Sequence, residues 1–160
     1  MRYQTKVNSP LGMLRLFADD DDLVGLYFPG HSPAPRDTSG KSDVGPFAEV
    51  LSQLQAYFER ERDDFALSLR MDGTEFQQSV WKELRSIDLG TTRTYGEIAK
   101  RCGRANAVRA VGAAIGRNPI SIIVPCHRVL GASGKLTGFA GGLERKRWLL
   151  DREGKRVAAA

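Results

Sequence analysis

The chain has 160 residues, 41% of them hydrophobic, and carries 24 Lys+Arg against 19 Asp+Glu for a net charge of +5. That supports a sizeable core in one domain or two small ones, while no apolar run approaches the roughly 20 residues of a membrane span and the N-terminus lacks a signal-peptide stretch. Two cysteines, Cys102 and Cys126, are no disulfide framework; without a CxxC or HxxxH pair no metal site is expected, and the expected compartment is reducing and cytoplasmic.

The net charge hides a split. Residues 1–80 hold 8 basic and 13 acidic side chains, whereas residues 81–160 hold 16 and 6. This suggests that the second half meets a polyanion; the alternative is a solvated basic surface.

In chain order, the first half reads as a small α+β unit. Tyr3, Thr5 and Val7 alternate with polar residues, the period of a half-buried strand. Ser9-Pro10-Leu11-Gly12 signals a turn, Met13–Ala18 a second strand, Asp19–Asp22 a hairpin tip and Leu23–Phe28 a third strand. Residues 29–45 are rich in Pro, Gly, Ser and Asp and predict a loop, with His31 exposed in it. Phe47, Val50, Leu51, Leu54, Tyr57 and Phe58 recur at helical spacing behind Pro46. Phe65, Leu67, Leu69 and Met71 alternate again and predict one more strand, and Asp72-Gly73 closes a first domain, 1–72, before a second, 73–160.

The second half opens with two capping boxes, Thr74 with Gln77 and Thr94 with Glu97. Phe76, Val80, Trp81, Leu84 and Ile87 form the stripe of one helix. A short helix ends near Cys102 with Gly103 as its stop, and Asn106 is placed to cap a further helix over Ala107–Gly116. Two short helices so joined read as a helix-turn-helix. Ala107, Ala110, Gly112, Ala113, Ala114 and Gly116 leave little bulk on the second. That permits close approach of another surface, either the protein's own core or, given Arg101, Arg104, Arg109 and Arg117, a nucleic acid.

Ile120–Val124 predicts a buried strand running into Pro125-Cys126-His127-Arg128-Val129. Pro125 stiffens the approach to Cys126. A cysteine there, next to His and Arg, is a candidate nucleophile once a base or positive charge favours its thiolate; the alternative is an inert buried thiol, which fits Cys102 better. In extended chain His127 points away from Cys126, so a water would link them, and His127 needs an acidic partner. Spacing does not choose among Glu83, Asp88, Glu97, Glu144, Asp151 and Glu153.

Residues 125–129 resemble the PCHRV signature of the O6-alkylguanine-DNA alkyltransferases (methylated-DNA–protein-cysteine methyltransferases). The likeness extends in order through Phe76–Trp81, Thr94–Ala99, Arg109–Gly112, Asn118-Pro119, Gly134–Gly142 and Trp148–Gly154. It implies an α+β protein: a small N-terminal antiparallel sheet with one helix, ribonuclease H-like, and a mostly helical, winged-helix-like C-terminal domain. The zinc ligands and the cysteine-rich module of other branches are absent, so the chain looks like the short bacterial type.

By that resemblance Cys126 accepts the alkyl group, His127 takes its proton through a water, and Glu153 holds His127. Asn118 fixes hydrogen bonding beside the thiol, and Tyr95 donates to the leaving guanine. Arg109 fills the gap left by a flipped nucleotide, while Ala107, Ala110, Gly112 and Thr94 lie on the surface that enters the minor groove. Val129, Ser133, Phe139 and Ala140 form the base pocket. Phe139 and Ala140 lack hydroxyls that other members carry there, which leaves base recognition to the backbone. The implied partner is double-stranded DNA with O6-alkylguanine, O4-alkylthymine being open, for a monomer without cofactor. An acidic half facing a basic half would favour cooperative clustering on DNA. The product, an S-alkyl thioether, has no ready route back, so turnover is single. Two alternatives from other classes are a non-enzymatic sensor of alkylated bases and a cysteine hydrolase built on Cys126 and His127.

Overall fold

A computed structural model of the protein describes residues 1–154; the end of the expected second domain, 155–160, lies outside them. Strands β1 (Arg2–Ser9), β2 (Gly12–Asp19) and β3 (Asp22–Tyr27) form an antiparallel meander with Thr5 opposite Leu16 and Leu16 opposite Leu26. Their apolar period buries Leu14, Leu16 and Leu26 completely. The acidic run is the second hairpin's tip, with Asp20 in the left-handed region.

Three first-half expectations need correction. Segment 29–45 is not all loop: β4 (Lys41–Ser42) pairs parallel with β1, so the sheet, in the order β3-β2-β1-β4, is mixed rather than purely antiparallel. The open edge of β1 recruits it, Gln4 Nε2 donating to the Gly40 carbonyl at 2.8 Å. Nor does Phe65–Met71 form a strand beyond a single bridge between Leu69 and Leu23. The buried Gln53 amide takes both backbone groups of Ala66, at 2.9 and 3.0 Å, and so occupies them in place of a strand neighbour. Gln53 lies on α1 (Ala48–Phe58), which follows a 3-10 turn, Gly45–Phe47, with Pro46 inside it, and buries Val50, Leu54 and Tyr57.

His31 is also corrected. It is 7% exposed, stacked on Phe28 and edge-on to Tyr27, and burial pushes its pKa down to about 4. Its ring found an apolar slot between the aromatics at the end of β3, which composition of a polar loop does not reveal.

The second half is helical: α2 (Glu75–Arg85), α3 (Tyr95–Arg101), α4 (Val108–Gly116) and α5 (Leu143–Arg152). Both capping boxes form. Gly103, at φ +69, ends α3 with Arg104 N–H donating to Ala99 and Gly103 N–H to Lys100, a Schellman pair. Asn106 does not cap α4. A turn closed by Ala107 N–H on the Arg104 carbonyl makes Ala107 the N-cap instead. The only sheet described in this half is a two-residue parallel pairing of β5 (Arg93–Thr94) with β6 (Val129–Leu130).

One apolar cluster runs through both halves, from Leu14, Leu26 and Tyr57 to Trp81, Val111, Ile120 and Val129. Trp81 Nε1 donates to the Ala114 carbonyl at 2.8 Å and ties α2 to α4. The edge of β3 also holds the chain leading to Cys126: Leu26 N–H donates to Pro119 O and Ser121 N–H to Leu26 O.

Candidate active site

The approach to Cys126 is not the predicted strand. Ile120 makes a single bridge to Leu26, and the chain then doubles back. Ile123 N–H donates to Ser121 O at 2.8 Å around Ile122, whose φ is +72°, a conformation that β-branched residues rarely adopt. Cys126 N–H next donates to Val124 O at 2.8 Å around Pro125, at φ −82° and ψ 65°, an inverse γ-turn. Two γ-turns therefore precede the cysteine, and a single turn of 3-10 helix, Cys126–Arg128, carries it. Apolar composition marks Ile120–Val124 as buried but not as bent; the β3 edge holds this segment only at Leu26, its other bridge at Leu23 being taken by Leu69, and the chain turns away beyond it. Backbone strain of this kind collects at functional sites.

Cys126, 4% exposed, lies in a cavity of about 450 Å³ with Tyr95, Gly112, Asn118, Phe139 and Ala140, all expected site residues. Ser32, Ile115, Gly116, Ser121, Thr137 and Gly138 complete the lining. Val129 and Ser133 do not line it: Val129 is buried in β6, and Ser133 sits exposed on a turn at φ 66°. Asn118 is locked by its own hydrogen bonds, its Nδ2 donating to Val124 O and its Oδ1 accepting from Ile120 N–H. Burial pushes the Cys126 thiol up from its ordinary value, while Asn118, the Lys146 ammonium and Ser121 pull the other way.

Behind the cysteine, His127 and Glu153 are fully enclosed, with Nε2 and Oε2 2.8 Å apart. Glu153 is the C-cap of α5, whose geometry aims it inward. Burial pushes its carboxyl up, but His127 and Arg128 outweigh that and hold it well below the usual carboxylate range. Arg128 reaches it from two nitrogens, Nε to Oε1 at 2.8 Å and Nη2 to Oε2 at 3.0 Å. The carboxylate assigns the proton to Nε2 and leaves Nδ1 as the basic nitrogen. Nδ1 is buried and has no hydrogen-bond partner among the described residues. Burial lowers the His127 pKa, so the ring rests neutral.

Comparison with known proteins decides the family. Residues 75–155 match the 6-O-methylguanine DNA methyltransferase, DNA binding domain, and residues 1–71 match the 6-O-methylguanine DNA methyltransferase, ribonuclease-like domain. The chain belongs to the 6-O-methylguanine DNA methyltransferase family. The methylated-DNA–protein-cysteine methyltransferase of Mycobacterium bovis is 48% identical over 159 residues, covering 99% of this chain and 96% of that one. Its counterpart from Methanosarcina acetivorans is 48% identical over 153 residues, 95% of this chain and 98% of that one. The crystal structure of Mycobacterium tuberculosis OGT in complex with DNA superposes with a TM-score of 0.92 at 48% identity, covering 95% of this chain and 93% of that one. The family function is DNA repair by alkyl transfer to a cysteine of the protein, and the activity is that of a methylated-DNA–protein-cysteine methyltransferase.

In this methyltransferase the helix-turn-helix places Arg109 and Ala110 exposed on α4, with Ala107 and Gly112 half-buried. Gly112 faces the Tyr95 ring, from which an added Cβ would lie 3.9 Å away, at ordinary van der Waals contact. Thr94 caps α3, its hydroxyl accepting from Glu97 N–H at 3.1 Å. Arg101 is engaged by Glu83 and Arg104 lies over Phe76.

Three residues of the site escape sequence reasoning. Lys146 is fully buried; its Nζ donates to Thr137 O at 2.7 Å and Gly138 O at 3.2 Å, and lies over the Tyr95 and Phe139 rings. Burial pushes its pKa down to about 8. Arg128, a bare motif residue in the sequence, is a ligand of the Glu153 carboxylate. Tyr57, read as core, donates its hydroxyl to Glu153 Oε2 at 2.6 Å. A lysine within the α5 stripe and a tyrosine within the α1 stripe carry no local signal of such roles. No helix of the described residues is long and apolar enough to cross a membrane.

Proposed function

We propose that Cys126 is the alkyl acceptor and that His127 and Glu153 form its proton relay. The observation that carries this is the thiol in the 450 Å³ cavity with the buried His127–Glu153 pair behind it. The Cys126 proton passes through a water to Nδ1 of His127, and the imidazolium formed is stabilised by Glu153. The sulfur attacks the alkyl carbon, the bond from that carbon to the guanine oxygen breaks, and the base leaves with a proton or hydrogen bond from Tyr95. Burial raises the Tyr95 pKa, so it stays a neutral donor; its hydroxyl meets the Gly138 carbonyl at 3.3 Å. Asn118 holds the turn beside the thiol. Phe139 and Ala140 wall the pocket, with Val129 and Ser133 acting from behind through the loop backbone.

The alkylated oxygen is hidden in a duplex, so the base must flip out. Arg109 fills the vacated stack from the minor groove, where Ala107, Ala110, Gly112 and Thr94 allow close approach. On this reading the protein works as a cytoplasmic monomer that acts once, residues 1–72 and 73–160 forming its two domains. Clustering on DNA would follow from the charge split between the halves.

Weighing the intact protein after mixing with an oligonucleotide carrying O6-methylguanine tests this. One added methyl, located on Cys126 and absent in Cys126→Ser, is expected. More than one methyl consumed per protein, or methylation elsewhere, would overturn it.

A further inference from the structure

The Glu153 carboxylate accepts from both halves of the chain. His127 and Arg128 reach it from the cysteine turn, and Tyr57 reaches it from α1, 96 residues away in sequence. Oε2 is shared by His127 Nε2, Tyr57 Oη and Arg128 Nη2, whereas Oε1 takes Arg128 Nε alone. Tyr57 itself is held rigidly. It is fully buried, the Arg152 guanidinium lies 4.2 Å from its ring centre, and Arg152 Nε donates to its backbone carbonyl at 2.7 Å.

We propose that Tyr57 is a positioning residue of the relay: its hydroxyl fixes Glu153 Oε2 against His127 Nε2, so the first half of the chain governs how readily Cys126 loses its proton. The proposal rests on the relay reading given above. The physical ground is rotational. The Arg128 fork holds both oxygens along one edge, with its longer bond, 3.0 Å, on Oε2, so that edge alone does not fix which Oε2 lone pair His127 meets. A second donor that cannot move fixes the lone pair that His127 meets. Burial and the Glu153 charge hold the phenol well above its ordinary pKa, so it donates at every working pH. The other groups facing this cluster are cationic. Arg128 and Lys146 both oppose protonation of His127, and Arg152 faces Tyr57 with Asp63 3.6 Å from its far nitrogen. Against those cations, Glu153 is the group that favours an imidazolium, which makes its placement decisive.

The test is a double-mutant cycle of Tyr57→Phe and Glu153→Gln. It reads duplex affinity, the single-turnover rate of methyl transfer from an O6-methylguanine oligonucleotide, and the pH dependence of that rate. Tyr57→Phe keeps the ring that packs on Phe65 and Arg152. It should bind DNA as the parent does, transfer about tenfold more slowly, the worth of one hydrogen bond to a charged group, and show its pH midpoint moved up. Combined with Glu153→Gln it should cost nothing further. A Tyr57→Phe protein of parental rate and profile, beside a slow Glu153→Gln, would overturn the proposal and leave the relay standing. Additive losses would make Tyr57 a structural residue only. A midpoint moved down would mean that the hydroxyl drains the carboxylate, the reverse of what is proposed. A Glu153→Gln protein of parental rate would instead remove the relay reading itself. Independently of how the variants fold, proton NMR of the parent should show a slowly exchanging Tyr57 hydroxyl proton; its absence would also overturn the proposal.

Discussion

Nε2 of His127 and Oε2 of Glu153 are 2.8 Å apart with both side chains shut off from solvent. A buried carboxylate is stable only while its partners remain, and here they are one imidazole, one guanidinium and one phenol. Glu153→Gln removes the charge and keeps the shape. The variant should transfer methyl about a hundredfold more slowly, the range of general acid–base contributions, and it leaves Arg128 buried without its anion, a loss of about 3 kcal/mol. Its pH behaviour follows from the depressed carboxyl. The stabilisation is fully present above the ordinary value of 4.5 and is lost as pH falls through the folded value. Melting curves between pH 3 and 7 should therefore converge for parent and variant toward the acid end.

His31 makes a second, separable contribution to acid sensitivity. Its folded pKa is about 4 against an ordinary 6.5, so the unfolded chain takes up the proton first. Stability from the neutral ring is complete above pH 6.5 and declines as pH falls from 6.5 toward 4, by about 2 kcal/mol after allowance for solvent screening. His31→Phe should keep the aromatic packing and flatten this part of the melting profile. An unchanged slope between pH 6.5 and 4 would show that His31 is not held neutral.

The helices and the meander were legible because their signals are local: alternation in β1–β3, capping boxes at Thr74 and Thr94, a stripe from Val80 to Leu84. Cys126 stood out as a candidate nucleophile from its neighbours, whereas the pairing of His127 with Glu153 was reached only by resemblance, since six carboxylates fitted equally and the place of Glu153 is set by where α5 ends. What escaped is tertiary. The γ-turns at Ile122 and Pro125 depend on how the β3 edge grips Leu26's partners. Gln53 replaces a strand neighbour for Ala66, and Tyr57 and Lys146 sit at apolar positions of helices whose polar ends happen to reach a carboxylate or two carbonyls. No window along the chain contains those partners.

Lys146 spans that gap between packing and chemistry. Its ammonium serves the Thr137 and Gly138 carbonyls on the loop that carries Phe139, and it faces the thiol. Lys146→Met keeps most of the stem's volume but takes the ammonium from both carbonyls, leaving Gly138 O with the Tyr95 hydroxyl and Thr137 O with no donor among the described residues. The loop then loses its tie at Thr137, and the thiolate a nearby cation. Transfer should fall about tenfold with the free base O6-methylguanine as well as with DNA, while duplex affinity holds. A loss confined to DNA substrates would place the effect on binding instead.

Gly141 sits where the same loop meets β3. A Cβ there would lie 2.8 Å from Phe28 Cε2 and 3.0 Å from Phe139 Cε2, both on rings packed 5.7 Å apart. Phe28 Cδ2 lies nearer still, so Gly141→Ala must push the Phe28 ring aside and crowd Phe139, which lines the cavity. Overpacking of this size costs about 1–3 kcal/mol. Thermal melting should show that loss, and a comparison with Gly138→Ala, where a Cβ meets nothing within 4 Å, should show none.

Arg109 distinguishes a residue that fills a gap from one that merely neutralises phosphate. It is exposed on α4 beside the small face of Ala110 and Gly112. If it inserts where the flipped base was, Arg109→Ala removes support for the extruded state. Repair of a duplex then slows, while transfer from the free base, which needs no flipping, keeps its rate. A phosphate contact predicts something else: weaker binding to every sequence, with the slope of log affinity against log salt reduced by about 1. Single-turnover rates on duplex and free base, measured with duplex affinity from 50 to about 200 mM salt, separate the two. The expected result is about a tenfold slower duplex repair, the order of a few kcal/mol of lost unstacking support at most, with the salt slope nearly intact. A fall in the slope by one, with duplex repair restored at saturating protein, would make Arg109 a phosphate ligand.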